Sequence, residues 1–251
     1  LSAAWNLALK HDPPKVNRRF YFALYDEKGN VRTGFLEEDR YQALKQELPA
    51  YLKPLLVVGY FVPCRLGELR DLEWRQVEFV PAPGKIVLDP GTTKTKLSRS
   101  MGMIGEMRET LLMQKSIREA KFPQCPYVFF NEDGERIGDF RKAWASACER
   151  SGVAIGKEDQ TLLFHDLRRS AARNMRRAGI DRSVIMRVGG WKTEAMFLRY
   201  NIIDERDFVE AARKMEAYRE LERNAISTEI STVSEDSAKK GVHTQARNRL
   251  Q

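Results

Sequence analysis

His165-Asp166-Leu167-Arg168 opens a stretch that runs through Gly189-Gly190-Trp191 and closes at Tyr200, and its reading decides both fold and chemistry. A histidine, an arginine, an indole and a phenol fall within one short segment. A phenol can attack a phosphodiester only where positive groups neutralise the phosphate and something eases the loss of a proton whose ordinary pKa is about 10. Arg168 supplies part of that charge. A second arginine must come from elsewhere, and Arg65, within Val62-Pro63-Cys64-Arg65-Leu66-Gly67-Glu68-Leu69, has the form for it.

Around this stretch the pattern predicts a helix over 165–178. At about 100° per residue, Leu167, Ala171, Met175 and Ala178 make an apolar stripe, with Arg169, Arg173, Arg176 and Arg177 on the other side. His165 and Arg168 fall between the two faces, about 60° apart, where a half-buried site belongs. The arginine face has two open readings, a solvated surface or contact with a nucleic-acid backbone. Upstream, residues 37–48 carry Tyr41, Leu44 and Leu48 at helical spacing, Pro49 marks a break, and 52–61 reads as a more buried helix, so that Arg65 emerges from a turn. Residues 76–80 and 85–88 read as strands around Pro81-Ala82-Pro83-Gly84, with a third strand over 97–103 and Lys94 on the hairpin before it. Further helices are predicted over 104–120, 138–151, 181–188, 193–200 and 204–221. The expected fold class is mainly α with a small antiparallel β-sheet, an α+β arrangement.

The chain has 251 residues and a formal net charge of +8, which favours a polyanionic partner because lysines and arginines release counterions from nucleic acid. Its most apolar stretch, 55–62, is far shorter than the roughly 20 residues a bilayer requires. Cys64, Cys125 and Cys148 are widely spaced, without a Cys-x-x-Cys pair, and read as buried thiols in a reducing compartment, which points to the cytoplasm. Carboxylate clusters that could hold two metal ions are not apparent, which argues against a metal-dependent nuclease or transposase. Residues 3–9 look like the end of an amphipathic helix whose partners are absent, so the chain reads as a fragment.

Arg65 with Glu68 in an Arg-x-x-Glu-Leu run, Lys94 in Thr93-Lys94-Thr95, His165 with Arg168, Gly189-Gly190-Trp191, and Tyr200 stand in an order and at intervals that resemble the tyrosine recombinase (phage integrase) family. The resemblance covers roughly residues 33–215. It implies the integrase catalytic-domain fold and cleavage and rejoining of DNA through a 3′-phosphotyrosine, without metal, cofactor or ATP. Tyr200 would be the nucleophile. Arg65, Arg168, His165 and Trp191 would surround the phosphate, with Glu68 orienting the site. His165 would donate to phosphate or accept the phenolic proton. Lys94 would protonate the leaving 5′ oxygen, with Lys96 close enough to compete. Each of these residues also has a plainer reading: an Arg65–Glu68 ion pair, a core histidine, a packed indole, a solvated lysine, an amphipathic tyrosine.

Lys96, Arg99, Arg169 and Arg173 are the candidate DNA contacts. The implied partners are double-stranded DNA and further copies of the chain in a homotetramer joined through the C-terminal helix, with no membrane. The resemblance divides the chain into the end of a core-binding domain and a linker (1–34), a catalytic domain with its C-terminal helix (35–222) and a mobile tail (223–251). Two other readings keep the same residues: a type IB topoisomerase-like relaxase and a non-catalytic DNA-binding protein of the same fold. The sequence departs from the family pattern twice. Pro63 stands where the family usually has glycine, and Arg99-Ser100-Met101-Gly102-Met103 lacks the usual Val-Pro-Leu ending.

Overall fold

A computed structural model describes residues 2–21, 32, 34–89, 98–155, 160–198, 200 and 207–224. Lys94, Lys96, residues 22–31 of the expected linker and the tail beyond residue 224 lie outside the described residues. Helix α1 (Ser2–Leu9) buries none of its residues. It packs on the chain that follows it, where the Trp5 indole donates to the Arg18 carbonyl at 2.9 Å and meets the Phe20 ring edge-on.

Glu38 and Asp39 suit the positive end of α2 (Glu38–Glu47), whose inward residues are Tyr41 and Leu44. Pro49 then caps a 3-10 turn, Ala50–Leu52, that leads into α3 (Lys53–Phe61). Pro54 sits in the first turn of α3, where its missing N–H costs nothing, and every residue from Pro54 to Tyr60 is buried. A helix apolar on all sides belongs in the centre of a core. Arg65 ends the following turn, and α4 (Leu66–Arg70) begins there, a helix too short for periodicity to have revealed.

The sheet is antiparallel in the order β1 (Val77–Glu78), β2 (Lys85–Leu88), β3 (Arg99–Gly102). Its register sets Val77 opposite Ile86, Ile86 opposite Met101 and Leu88 opposite Arg99. The strand expected over 76–80 shrinks to two residues, because Gln76 belongs to a 3-10 turn. Beyond the sheet come α5 (Gly105–Lys121) and α6 (Arg141–Arg150), then a two-stranded ribbon of β4 (Ala154–Ile155) and β5 (Gln160–Thr161) that the sequence did not signal. A 3-10 turn, Phe164–Asp166, precedes α7 (Leu167–Arg177), so His165 stands before the helix rather than within it. Helix α8 (Arg182–Gly189) is capped by Asp181, whose carboxylate accepts the Ser183 N–H at 2.7 Å. A short α9 (Glu194–Leu198) precedes Tyr200, and residues 207–224 form α10, the last helix among the described residues. The larger core cluster among the described residues runs from Leu36 through α3 and the sheet to Leu167 and holds Cys64 and Cys148, and a smaller, separate one joins Ala172, Ile185, Trp191 and Phe197, with Tyr200 packed against it. All three cysteines are buried and unpaired, as expected of thiols. Among the described residues no helix is long and apolar enough to cross a membrane.

The arginine face of α7 requires a correction. Arg169 and Arg173 are 6% and 2% exposed, so neither lies on a solvated face nor reaches out to nucleic acid. The chain before α2 covers them. Arg169 donates to the Gly34 carbonyl at 3.3 Å, the Leu36 N–H donates to Ser170 at 2.9 Å, and Arg173 pairs with Glu37 at 2.6 Å while its guanidinium lies 4.0 Å from the Phe35 ring centre. Asp166, 1% exposed, accepts from Arg32 and from Arg169. Arg176 and Arg177 pair with Asp207 at the start of α10. Arg99 is equally internal, at 3% exposure. Guanidinium groups tolerate burial when carboxylates and carbonyls meet them, and here the chain's own segments do so.

Helices α3 and α7 meet at Gly59, where a Cβ would lie 2.9 Å from Phe164 Cζ and 3.1 Å from Leu167 Cδ1. On an exposed helix, Gly→Ala is worth about 1 kcal/mol of stability. Here Gly59→Ala should instead destabilise by about 1–2 kcal/mol through overpacking, read from the denaturant midpoint at unchanged m-value.

Candidate active site

The turn before α4 closes through a hydrogen bond from the Cys64 N–H to the Val62 carbonyl at 2.7 Å, a γ-turn centred on Pro63. Its inverse form needs a negative φ, which proline supplies, so the turn is made without the glycine that the resemblance led one to expect. It delivers Arg65 in extended conformation at the N-terminus of α4. Glu68 accepts the Arg65 backbone N–H at 2.8 Å, pairs with the Arg65 guanidinium at 2.9 Å and also pairs with Arg99 at 2.7 Å. Burial alone would raise the Glu68 pKa. Hydrogen bonds from Arg99 and from the Arg65 backbone, with the charge of Arg99, outweigh it and hold the carboxyl below its usual range.

Arg168 is 2% exposed and donates to the Pro63 carbonyl at 2.6 Å and to the Gly189 carbonyl at 2.7 Å. Its guanidinium lies 4.2 Å from the Trp191 ring centre and 5.5 Å from that of Tyr200. Burial first, and then the nearby charge of Arg65, bring its pKa down to about 10, which leaves it cationic at neutral pH.

Gly190 ends α8 in the left-handed region at φ 70°, the usual device for stopping a helix. Gly189 makes room for the indole: a Cβ there would stand 1.9 Å from Trp191 Cζ3. Trp191 is buried, set edge-on to Phe197 and 5.2 Å from the Tyr200 ring centre. Its indole N–H is buried without a hydrogen-bond partner among the described residues. Packing and a free donor therefore coexist in one side chain.

Tyr200, half-buried, presents its hydroxyl 3.3 Å from His165 Nε2. His165 reaches solvent along one edge, yet the groups crowding it desolvate the ring. That desolvation, reinforced by the Arg168 charge and opposed by Asp166, lowers its pKa from 6.5. Neutral imidazole is therefore the prevailing form at pH 7, and Nε2 accepts a hydrogen bond in one of its two tautomers.

The structure thus brings Arg65, Glu68, His165, Arg168, Trp191 and Tyr200 into one neighbourhood, drawn from α4 and the turn before it, the start of α7, the residues just after α8 and a residue that follows α9. Lys94 and Lys96 lie outside the described residues. Sequence reasoning named Asp166 only as part of a motif and missed its anchoring role. It placed Arg99 on the DNA, whereas Arg99 lies inside against Glu68. The inward position of Arg99 could have been read from the strand alternation with Met101, both of which are buried.

The family model for the phage integrase family matches residues 35–206. The integrase of Salmonella phage P22 is 24% identical over 199 residues, which is 75% of this chain and 48% of the phage protein. The chain therefore spans about half the length of that curated relative. Among solved structures, XerA recombinase superposes with a TM-score of 0.61 at 18% identity, covering 74% of this chain and 67% of XerA. A lambda integrase tetramer bound to a Holliday junction gives 0.61 at 18% identity, covering 81% of this chain and 59% of lambda integrase. At such identities the likeness is one of fold.

Gly189→Ala tests the packing of the indole. Because the new methyl and the ring cannot share the space, the variant should lose about 1–3 kcal/mol of stability, with changed near-ultraviolet circular dichroism as Trp191 shifts. An unchanged melting curve and spectrum would refute the packing described.

Proposed function

This chain belongs to the phage integrase family, and we propose that it cleaves and rejoins DNA strands as a site-specific recombinase, through a covalent 3′-phosphotyrosine at Tyr200. The observation that carries this reading is the Tyr200 hydroxyl at 3.3 Å from His165 Nε2, with the Arg168 guanidinium beside its ring. In the proposed step the phenolic oxygen attacks phosphorus as His165 takes its proton, and the bond from phosphorus to the 5′ oxygen breaks. Lys94 protonates that leaving oxygen. Arg65 and Arg168 oppose the charge that builds on the non-bridging oxygens, and the unpartnered Trp191 N–H adds a neutral donor. Glu68 keeps Arg65 in place. A 5′-hydroxyl of a partner strand reverses the step, because the ester to Tyr200 retains the bond energy of the original diester, so no metal or ATP enters.

The proposed partner is double-stranded DNA, supported by the net charge of +8 and by the DNA-bound state of the lambda integrase relative. The proposed assembly is a tetramer. Helix α10 supports it, for Phe208, Met215, Tyr218 and Leu221 are each more than half exposed and offer an apolar face to a neighbour. The reading assigns residues 35–222 to the catalytic domain and the segment before it to the end and linker of a preceding one.

Tyr200→Phe should abolish covalent attachment to a nicked DNA that traps the intermediate while leaving DNA binding within about twofold, since only the nucleophilic oxygen is lost. An adduct yield like that of the unaltered chain would remove Tyr200 from the chemistry.

The role of His165 predicts a pH dependence. As proton acceptor it works when neutral, and its pKa is lowered, so single-turnover cleavage should be full at neutral pH and fall as pH drops through a value below 6.5. His165→Asn should flatten that limb. A rate that instead falls as pH rises through this range would make His165 a cationic donor.

A further inference from the structure

We infer that Arg99 is a positioning residue for strand cleavage, locking Glu68, and through it Arg65, to the end of α8 that presents Trp191. The inference rests on the recombinase reading above. Arg99 takes an inward place on β3 opposite Leu88, where the pattern of buried positions calls for an apolar side chain. A guanidinium there is costly unless its charge is met, and it is met on two sides although Nε has no hydrogen-bond partner among the described residues. One arm pairs with Glu68 Oε1 at 2.7 Å, and another donates to the Val188 carbonyl at 2.9 Å. Glu68 Oε1 is the same atom that holds the Arg65 guanidinium, at 2.9 Å. Val188 is followed by Gly189, whose carbonyl holds Arg168, and then by Gly190 and Trp191.

Gly190 completes the lock. A Cβ on it would stand 2.7 Å from Arg99 Nη1 and 3.0 Å from Cζ, so the guanidinium lies against the glycine backbone. A cation that merely neutralised Glu68 would not need this arrangement. A lysine ammonium can sit opposite the carboxylate, but it lacks the planar fork that reaches Glu68 and Val188 at once. Arg99 touches no reacting atom in this scheme. It acts by holding two phosphate-binding groups, Arg65 and Trp191, in one frame, although they lie on segments far apart in the chain.

The test compares single-turnover cleavage by the full chain on two substrates, one with the normal scissile phosphate and one with a methylphosphonate, in which a methyl group replaces a charged non-bridging oxygen. A side chain that aligns positive charge with that oxygen matters less once the charge is gone. Arg65→Ala serves as the reference and should lose much more rate on the phosphate than on the methylphosphonate. Arg99→Lys keeps a positive charge against Glu68 and so should fold, with a melting temperature near that of the unaltered chain. It should lose roughly tenfold on the phosphate, less than deletion of a whole donor, and clearly less on the methylphosphonate. Arg99→Met should show the same preference more strongly, and if it does not fold, Arg99→Lys decides. Equal losses on both substrates, or an unaltered phosphate rate for Arg99→Lys, overturn the inference while leaving the recombinase reading intact. A loss by Arg65→Ala that does not depend on the substrate overturns the role of Arg65, and the inference with it.

Discussion

The buried guanidinium of Arg168 is the constraint on which the site depends. It binds the Pro63 carbonyl, 105 positions away in the chain, and the Gly189 carbonyl, 21 positions away, and it supports Trp191 and Tyr200 from below. These groups belong to segments far apart in the chain: the turn before α4, the end of α8 and the residues that follow α8 and α9. A charge taken out of water must be met by strong acceptors, and two main-chain carbonyls meet this one. The turn before α4, the end of α8 and the tyrosine are thereby brought together around one planar group.

Helix α7 carries that group because its two sides are both committed. Leu167, Ala171 and Ala172 pack into the apolar interior, while the arginine side is sealed by Gly34, Phe35, Leu36 and Glu37 and by Asp207. Asp166 secures the start of the helix by taking Arg32 and Arg169 at once. Side chains that look solvent-bound on a helical projection thus serve as ties between α7 and the segments before α2 and after Tyr200. Each tie joins a buried or half-buried cation to a partner, so removal of one partner would leave the other unmet, which costs more than the pair contributes.

The same construction accumulates positive charge beside a phenol. Arg65 works against the cationic form of Arg168, and Arg168 works against the cationic form of His165. Such a cluster is unfavourable in isolation and favourable once an anion arrives, which is the electrostatic form of a preorganised site. The buried, unpartnered indole N–H of Trp191 belongs to the same class of feature, a cost in the protein alone that a phosphate would offset.

The sequence by itself determined the longer helices, the three-stranded antiparallel sheet and the order of the polar residues, because periodicity reports which residues share a face, and short runs such as His165 to Arg168 survive without their context; the five residues of α4 and the β4–β5 ribbon were too short to show. It could not say what covers a face. Arg169 and Arg173 were legible as one side of α7, and Asp166 lies within local reach of Arg169, but Gly34 and Glu37, which cover that side, lie 135 and 136 positions away, and no local pattern encodes a separation of that length. The inward side of Arg99 was legible from its alternation with Met101 on β3, but its partners there, Glu68 and the Val188 carbonyl, come from distant segments that only the tertiary structure brings up to it. The 3-10 turn at His165 and the fit of the Trp191 indole over Gly189 are likewise matters of tertiary packing. Local chemistry selected the side chains, and long-range burial decided which of them face one another.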